Sequence, residues 1–200
     1  MTSSNTNLTQ ALLSFAAQYI AHHTKSNNGN LPLIEYDEQW ISPCIHKKIN
    51  DELCSWQPVS IEMLMTKGLI TAPLNFNNVE RALDLVLHAD IKTYFTTMFS
   101  ETIDAKCEEG GLSLLFAWSE DDFSRLQENI IGHIMMKQRL KQAETVFFAV
   151  TDEEDIIISI DNSTGEVWAE RVGCKPHKKI ADSLLALLHN LSENYKTDEF

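Results

Sequence analysis

The spacing of apolar side chains predicts helices along much of the chain. Apolar residues recur every three or four positions, as in an amphipathic helix, in four segments: residues 7–24, 79–88, 119–142 and 178–194. Asn7 and Asn78 stand where caps of the first two helices are expected. Residues 59–75 are ambiguous, and one interpretation is a short helix around Ile61–Thr66 that stops at Gly68.

Strands are predicted where β-branched and aromatic residues cluster between turn residues. Five runs have this character: residues 91–99, 112–118, 145–151, 156–161 and 166–172. Polar turn residues separate the last three runs from one another. We expect a turn over residues 104–111. Because prolines interrupt residues 31–58, we expect irregular structure there.

The order of these elements predicts the fold class. Helices come first, two strands and a central helix follow, and a meander of three strands precedes the last helix. Segregated helices and a strand meander favour an α+β fold with a mainly antiparallel sheet and helices packed on it. The chain has 200 residues and neither a repeat nor a convincing linker, so we expect a single domain over residues 1–200.

The segment Trp118–His133 is the most informative part of the sequence. Ser119 is a good helix N-cap, and Asp122 follows it at the spacing of a capping box. Glu120 and Asp121 also fall in the first turn, where the helix dipole favours negative charge. Two interpretations remain open: a well-capped helix with a solvated acidic start, or the same helix with acids that also bind a basic partner.

The rest of this helix predicts packing and one ion pair. The apolar face is formed by Phe123, Leu126, Ile130 and Ile134. Asp121 and Arg125 lie four residues apart and could pair across a turn. Gly132 in mid-helix suggests close packing of another element. His133, beside it, is interpreted as a hydrogen-bonded structural residue.

The net charge of the chain limits the kinds of partner that it can bind. The chain carries a net charge of −13, and residues 101–200 hold 10 basic and 20 acidic side chains against 6 and 9 in residues 1–100. Such a chain repels nucleic acid and anionic lipid and attracts basic surfaces. We therefore expect no nucleic-acid partner and no direct lipid binding. Solubility alone would also explain an acidic surface.

We find no pattern that indicates catalysis or metal binding. Glycine-rich phosphate loops, zinc-protease motifs and nucleophile elbows are missing from the sequence. The four cysteines form no C-x-x-C pair, so we expect no zinc site. Because we see no secretory leader, we expect the thiols to be reduced. The acidic run at residues 152–155 fits a hairpin turn better than a calcium loop. We expect a non-enzymatic protein without a cofactor.

The sequence also predicts no membrane insertion of its own. The first 23 residues lack the basic start and long apolar core of a signal peptide. No run approaches the 18 or so apolar residues of a membrane-spanning helix. A membrane location would therefore come from a partner.

One set of motifs resembles a known family. The string WSEDDF-x-R-x-QEN-x-IGH in Trp118–His133 is similar to the signature of the Syd family of SecY-interacting proteins. Shorter pieces occur in the family's order: Ser42–Ile45, Trp56–Pro58, Val79–Ala82, Thr96–Phe99, Arg139–Lys141 and Gly165–Val167. Residues 59–75 read as a family-divergent insertion, and residues 193–200 as a flexible tail.

The resemblance implies a function. It implies a cytoplasmic protein, peripherally associated with the cytoplasmic side of the bacterial inner membrane, that binds the translocon subunit SecY and acts as a negative regulator or quality monitor of SecY complexes. It also implies a Smi1/Knr4-like fold. Cytosolic loops of membrane proteins are rich in Lys and Arg, so acids are the candidate partner-binding residues: Glu80, Asp84, Asp90, Glu120, Asp121, Asp122 and Glu128. The alternative is an immunity-type protein that neutralises a basic toxin or nuclease through its acidic face.

Overall fold

The computed structural model describes residues 2–194, and the side chains of residues 7–191. Its helices are α1 Thr2–Ser26, α2 Ile61–Thr66, α3 Asn77–Leu83, α4 Ala89–Thr97, α5 Glu120–Arg139 and α6 Leu184–Asn194. Its strands are β1 Leu33–Glu35, β2 Ile45–Lys48, β3 Leu53–Trp56, β4 Val59–Ser60, β5 Met98–Phe99, β6 Ile103–Cys107, β7 Gly110–Leu114, β8 Thr145–Thr151, β9 Ile156–Asp161, β10 Val167–Arg171 and β11 Lys178–Ala181. Residues 195–200, most of the predicted tail, lie outside the described residues.

A six-stranded antiparallel sheet forms the centre of the fold. Its strands lie in the order β11-β10-β9-β8-β7-β6, so every neighbour is also a neighbour in sequence. Helix α5 packs against β8, while α6 contacts β6 and β11. Strands β1, β3 and β2 form a small second sheet, and β4 pairs with β5. The predicted α+β class with a mainly antiparallel sheet is confirmed.

The strand meander follows the prediction closely. Strands β8 and β9 begin and end at the predicted residues, and β10 differs from the prediction by one residue at each end. The β9–β10 turn is built on Asp161, whose Oδ1 accepts hydrogen bonds from the backbone N–H groups of Ser163 and Thr164. Gly165 closes this turn with a φ of 76°, in the left-handed region that favours glycine.

The prediction of a strand over residues 91–99 is wrong. Residues 89–97 form α4, and only Met98 and Phe99 are extended. His88 caps the helix, because its Nδ1 accepts the N–H of Asp90 at 3.2 Å. The buried residues Ile91, Tyr94 and Phe95 recur every three or four positions. Burial on this helical period outweighs the strand preference of the β-branched and aromatic side chains.

Four other predicted segments need correction. Residues 31–58 are not irregular, because they contain β1, β2 and β3. Residues 104–111 form a hairpin between β6 and β7 rather than a simple turn. The helix predicted over residues 79–88 is α3, which ends at Leu83 where Asp84 turns left-handed with a φ of 51°. The predicted last helix divides into β11 and the shorter α6.

Residues 59–75 contain the short helix that one interpretation of the sequence gave. Ser60 caps α2 by accepting the N–H of Met63 at 3.4 Å. Gly68 follows the helix with a φ of 68°. The N–H of Gly68 donates to Met65 O and the N–H of Leu69 to Leu64 O. These paired hydrogen bonds form a Schellman motif, which fixes the direction in which the chain leaves the helix.

The loop between α3 and α4 is fastened to the β9–β10 turn by one side chain. Asn162 Oδ1 accepts the N–H of His88 at 2.8 Å, and Asn162 Nδ2 donates to Val86 O at 3.0 Å. Gly165 lies so close to the His88 ring that an added Cβ would stand 2.5 Å from it. These contacts attach the α3–α4 region to the central sheet.

None of the helices in the described part of the chain is both long enough and apolar enough to cross a membrane.

Candidate partner-binding site

The start of α5 separates capping residues from exposed residues. Ser119 Oγ accepts the N–H of Asp122 at 3.3 Å, and Asp122 Oδ2 accepts the N–H of Trp118 at 2.8 Å. The predicted cap is therefore present, and Asp122 is half-buried in it. Glu120 and Asp121 remain exposed to solvent. We call this exposed pair, Glu120 and Asp121, the α5 acids.

A neighbouring loop is bound tightly to this helix start. Ser42 Oγ donates to Trp118 O and accepts the N–H of Cys44 at 3.0 Å. Trp118 Nε1 donates to Trp40 O at 3.2 Å. The Arg125 guanidinium lies over the Trp40 ring, 4.0 Å from its centre. Arg125 therefore packs on this loop, and the ion pair predicted between Asp121 and Arg125 is missing from the described residues.

The acids of α3 and α4 differ in what they contact. Glu80 Oε1 accepts hydrogen bonds from Lys92 Nζ and from the N–H of Leu87, both at 2.9 Å. Burial raises the pKa of Glu80, but these two hydrogen bonds and the Lys92 charge together lower it. Asp84 is exposed, and Asp90 is half-buried in the first turn of α4. Glu80 therefore already holds the α3–α4 loop in place.

The structure brings α3 alongside α5. The Phe76 and Phe123 rings meet edge to face with centroids 5.1 Å apart, and Gln127 Nε2 donates to Asn75 O at 3.2 Å. Glu128, one residue further along α5, is exposed. Of the seven acids predicted as partner-binding residues, four are thus exposed on or next to these two helices: Asp84, Glu120, Asp121 and Glu128.

A buried ionic group lies at the opposite end of α5, and sequence reasoning missed it. Lys137 Nζ is 2.6 Å from Glu170 Oε2 and donates to Cys174 O at 2.9 Å. Neither side chain has more than 1% of its area exposed. Glu170 Oε1 accepts hydrogen bonds from Thr145 at 2.6 Å and from Ser159 at 2.8 Å. We call this group, with His133, the ionic core.

His133 completes the ionic core. Because the Thr145 hydroxyl donates to Glu170, its oxygen is free to accept a hydrogen bond from His133 Nε2 at 3.1 Å. The prediction that His133 is a hydrogen-bonded structural residue is confirmed. Burial raises the pKa of Glu170, but its interactions with His133, Lys137, Thr145 and Ser159 together lower it to about 2.

Gly132 does not have the role that its position suggested. It is exposed, and no atom of the part of the chain that the structure describes lies within 4 Å of an added Cβ. The prediction that Gly132 admits a closely packed element is therefore wrong.

One signal could have revealed the ionic core. Lys137 continues the apolar face of α5, three residues after Ile134. Glu170 likewise stands in a short strand between the buried Ala169 and the exposed Arg171. A basic residue on an apolar helix face suggests a buried charge, which needs a partner. An acid within a β run is a candidate for that partner, so the two signals together predict a buried pair.

Comparisons with known proteins identify the family of the chain. The family model described as Syd protein (SUKH-2) matches residues 9–193. A Protein Syd from Colwellia psychrerythraea is 55% identical over 199 residues, covering 100% of this chain and 99% of that protein. A Protein Syd from Alteromonas mediterranea is 44% identical over 179 residues, covering 89% of this chain and 92% of that protein. One from Pseudoalteromonas atlantica is 38% identical over 178 residues, covering 88% of each chain. The chain therefore belongs to the Syd family.

Proposed function

We propose that this chain binds the cytosolic face of the translocon subunit SecY and acts as a negative regulator or quality monitor of SecY complexes, without catalysing a reaction. Membership of the Syd family supports the proposal, because the sequence motifs resemble those of SecY-interacting proteins. The proposed partner surface includes the α5 acids together with Asp84, which follows α3, and Glu128 of α5, both of which are exposed.

The exposure of the α5 acids is the observation that carries the proposal. Ser119 accepts the N–H of Asp122, and Asp122 in turn accepts the N–H of Trp118. Glu120 and Asp121 are not needed for the cap and remain exposed to solvent. Cytosolic loops of membrane proteins are enriched in Lys and Arg. Charge complementarity of this kind increases the association rate and the specificity.

The same charge argument supports a proposal for the location of the protein. With a net charge of −13, the chain is repelled by the anionic cytoplasmic leaflet. We infer that it is cytoplasmic and reaches the inner membrane through SecY rather than through lipid. It binds no nucleic acid for the same electrostatic reason.

A pull-down from detergent-solubilised bacterial membranes tests the proposal. The variant Glu120→Lys/Asp121→Lys leaves Asp122 in its cap and reverses only the exposed charges. Its control is Asp152→Lys/Glu153→Lys, which makes the same change in net charge at the exposed β8–β9 turn. We expect SecY in the wild-type and control eluates, and much less SecY with the α5 variant.

Two other results of the pull-down would contradict the proposal. A soluble basic nuclease in the wild-type eluate, with no SecY, would favour the immunity-type alternative. Equal loss of SecY by both variants would mean that overall charge, rather than the α5 acids, drives binding.

A further inference from the structure

A recess of about 260 Å³ with an apolar floor opens beside the α5 acids. Its floor is Phe99 of β5 with Leu64 and Ile70, all of which are buried. Two aliphatic side chains on its rim face solvent: Ile41 is 55% exposed and Leu69 is 66% exposed. An isolated exposed aliphatic residue needs no explanation, but two on the rim of one such recess indicate a contact surface.

Hydrogen bonds hold both walls of the recess in place. The Schellman motif after α2 fixes the position of Leu69 relative to Leu64. On the other side, Ile41 lies between Trp40 and Ser42, and both of these residues are hydrogen-bonded to Trp118. A site whose walls are already ordered loses little conformational entropy when it binds. This gives residues 59–75 a role, because their helix and its exit supply one wall.

The size and charge of the recess define what fits. It is smaller than the roughly 300–1,000 Å³ of most small-molecule sites, so it suits a single side chain. Glu120 and Asp121 are part of the lining, and none of the described residues that line the recess is basic. An aliphatic group would enter the recess, and a cation beside it would meet the two carboxylates. An acidic segment would be repelled.

We infer that this recess anchors a large aliphatic side chain of a partner's loop, with an adjacent Lys or Arg of that loop held by the α5 acids. The inference rests on the proposed function and makes it more specific: the partner loop is amphipathic, not merely basic. The two parts contribute differently. The apolar anchor slows dissociation, whereas the charges set the association rate and its dependence on salt.

The experiment measures the dissociation constant for a SecY complex in phosphatidylcholine nanodiscs, at low and moderate salt. The test variant is Ile41→Ser/Leu69→Ser, which changes exposed residues. Leu33→Ser/Val172→Ser is its control, because these residues are 55% and 53% exposed and lie outside the recess. We expect the test variant to bind about tenfold or more weakly, with an unchanged salt slope. Glu120→Gln/Asp121→Asn should bind more weakly and flatten the slope.

The outcomes separate this inference from the proposed function. If the wild type does not bind the SecY complex, both fall. If the wild type binds and Ile41→Ser/Leu69→Ser binds equally well, only the inference falls. Should that variant not fold, a photo-cross-linking residue in place of Leu69 provides the second measurement. Cross-linking to SecY from position 69 and not from position 172 supports the inference, and its failure at position 69 overturns it.

Discussion

The two ends of α5 treat charge in opposite ways. At the first turn, Glu120 and Asp121 face solvent without a role in the cap. Near the last turn, Lys137 is wholly buried and meets Glu170, which is hydrogen-bonded by Thr145 and Ser159 as well. One helix thus carries charges that are free to meet another molecule and a charge that is used inside this one.

Burial determines what a charged side chain contributes at each end of α5. A buried ion pair costs desolvation, so it persists only when hydrogen bonds satisfy both partners. In the ionic core these hydrogen bonds join α5 to β8, β9 and β10 and to the loop at Cys174. Exposed carboxylates contribute little to stability, and their value lies in association.

We expect the largest loss of stability when the buried ion pair of Lys137 and Glu170 is broken. Lys137→Ala leaves Glu170 ionised and without its cation in the core, so we expect the free energy of unfolding to fall by about 3–5 kcal/mol. Lys137→Met/Glu170→Gln removes both charges and keeps an acceptor for Thr145 and Ser159. Urea unfolding should show that this double variant is much more stable than Lys137→Ala. Equal losses would mean that packing, not charge, dominates at this site.

The pH dependence of stability gives a second test of the ionic core. The pKa of Glu170 is about 2 in the folded chain, below its ordinary value of 4.5. Its contribution is therefore complete above about pH 4.5 and is lost as the pH falls towards 2. The lowering corresponds to a contribution on the order of 3 kcal/mol. Urea midpoints measured from pH 7 to pH 2.5 should therefore fall further for the wild type than for Lys137→Met/Glu170→Gln. A constant gap between them would contradict the assignment.

We expect the smallest changes in stability from substitutions in the first turn of α5. Ser119→Ala removes the cap, so we expect a loss of about 1 kcal/mol in the free energy of unfolding. Glu120→Gln/Asp121→Asn removes only favourable interactions with the helix dipole, each about 0.3–1 kcal/mol and screened by salt. Thermal unfolding in 0.5 M NaCl should therefore separate the two variants. A larger loss from the charge variant would show that these acids stabilise the fold.

Local patterns in the sequence predicted part of the fold well. The cap at Ser119 and the meander β8–β10 depend on side chains close in sequence, such as Asp161 in its turn. Helix α4 was mistaken for a strand because its composition favours strands, although Ile91, Tyr94 and Phe95 follow a helical period. Burial of these three side chains decided that case, and the residue composition of 91–99 does not express it.

The candidate site was predictable only in its local features. The sequence showed the acids at the start of α5 and the cap beside them. It did not show that Lys92 holds Glu80, or that Leu69 and Ile41 meet across one recess, because these pairs are 12 and 28 residues apart in the chain. Lys137 and Glu170, 33 residues apart, were missed for the same reason.

The division of labour in the first turn of α5 also affects how the sequence can change over time. Ser119 and Asp122 form the cap, so a substitution at either one disturbs the helix itself. Substitutions at Glu120 and Asp121 alter what the surface attracts while leaving the cap intact. Substitutions at these two positions could therefore change which partner the surface binds, with little loss of stability. The cap and the ionic core, in contrast, restrict which residues can replace their members.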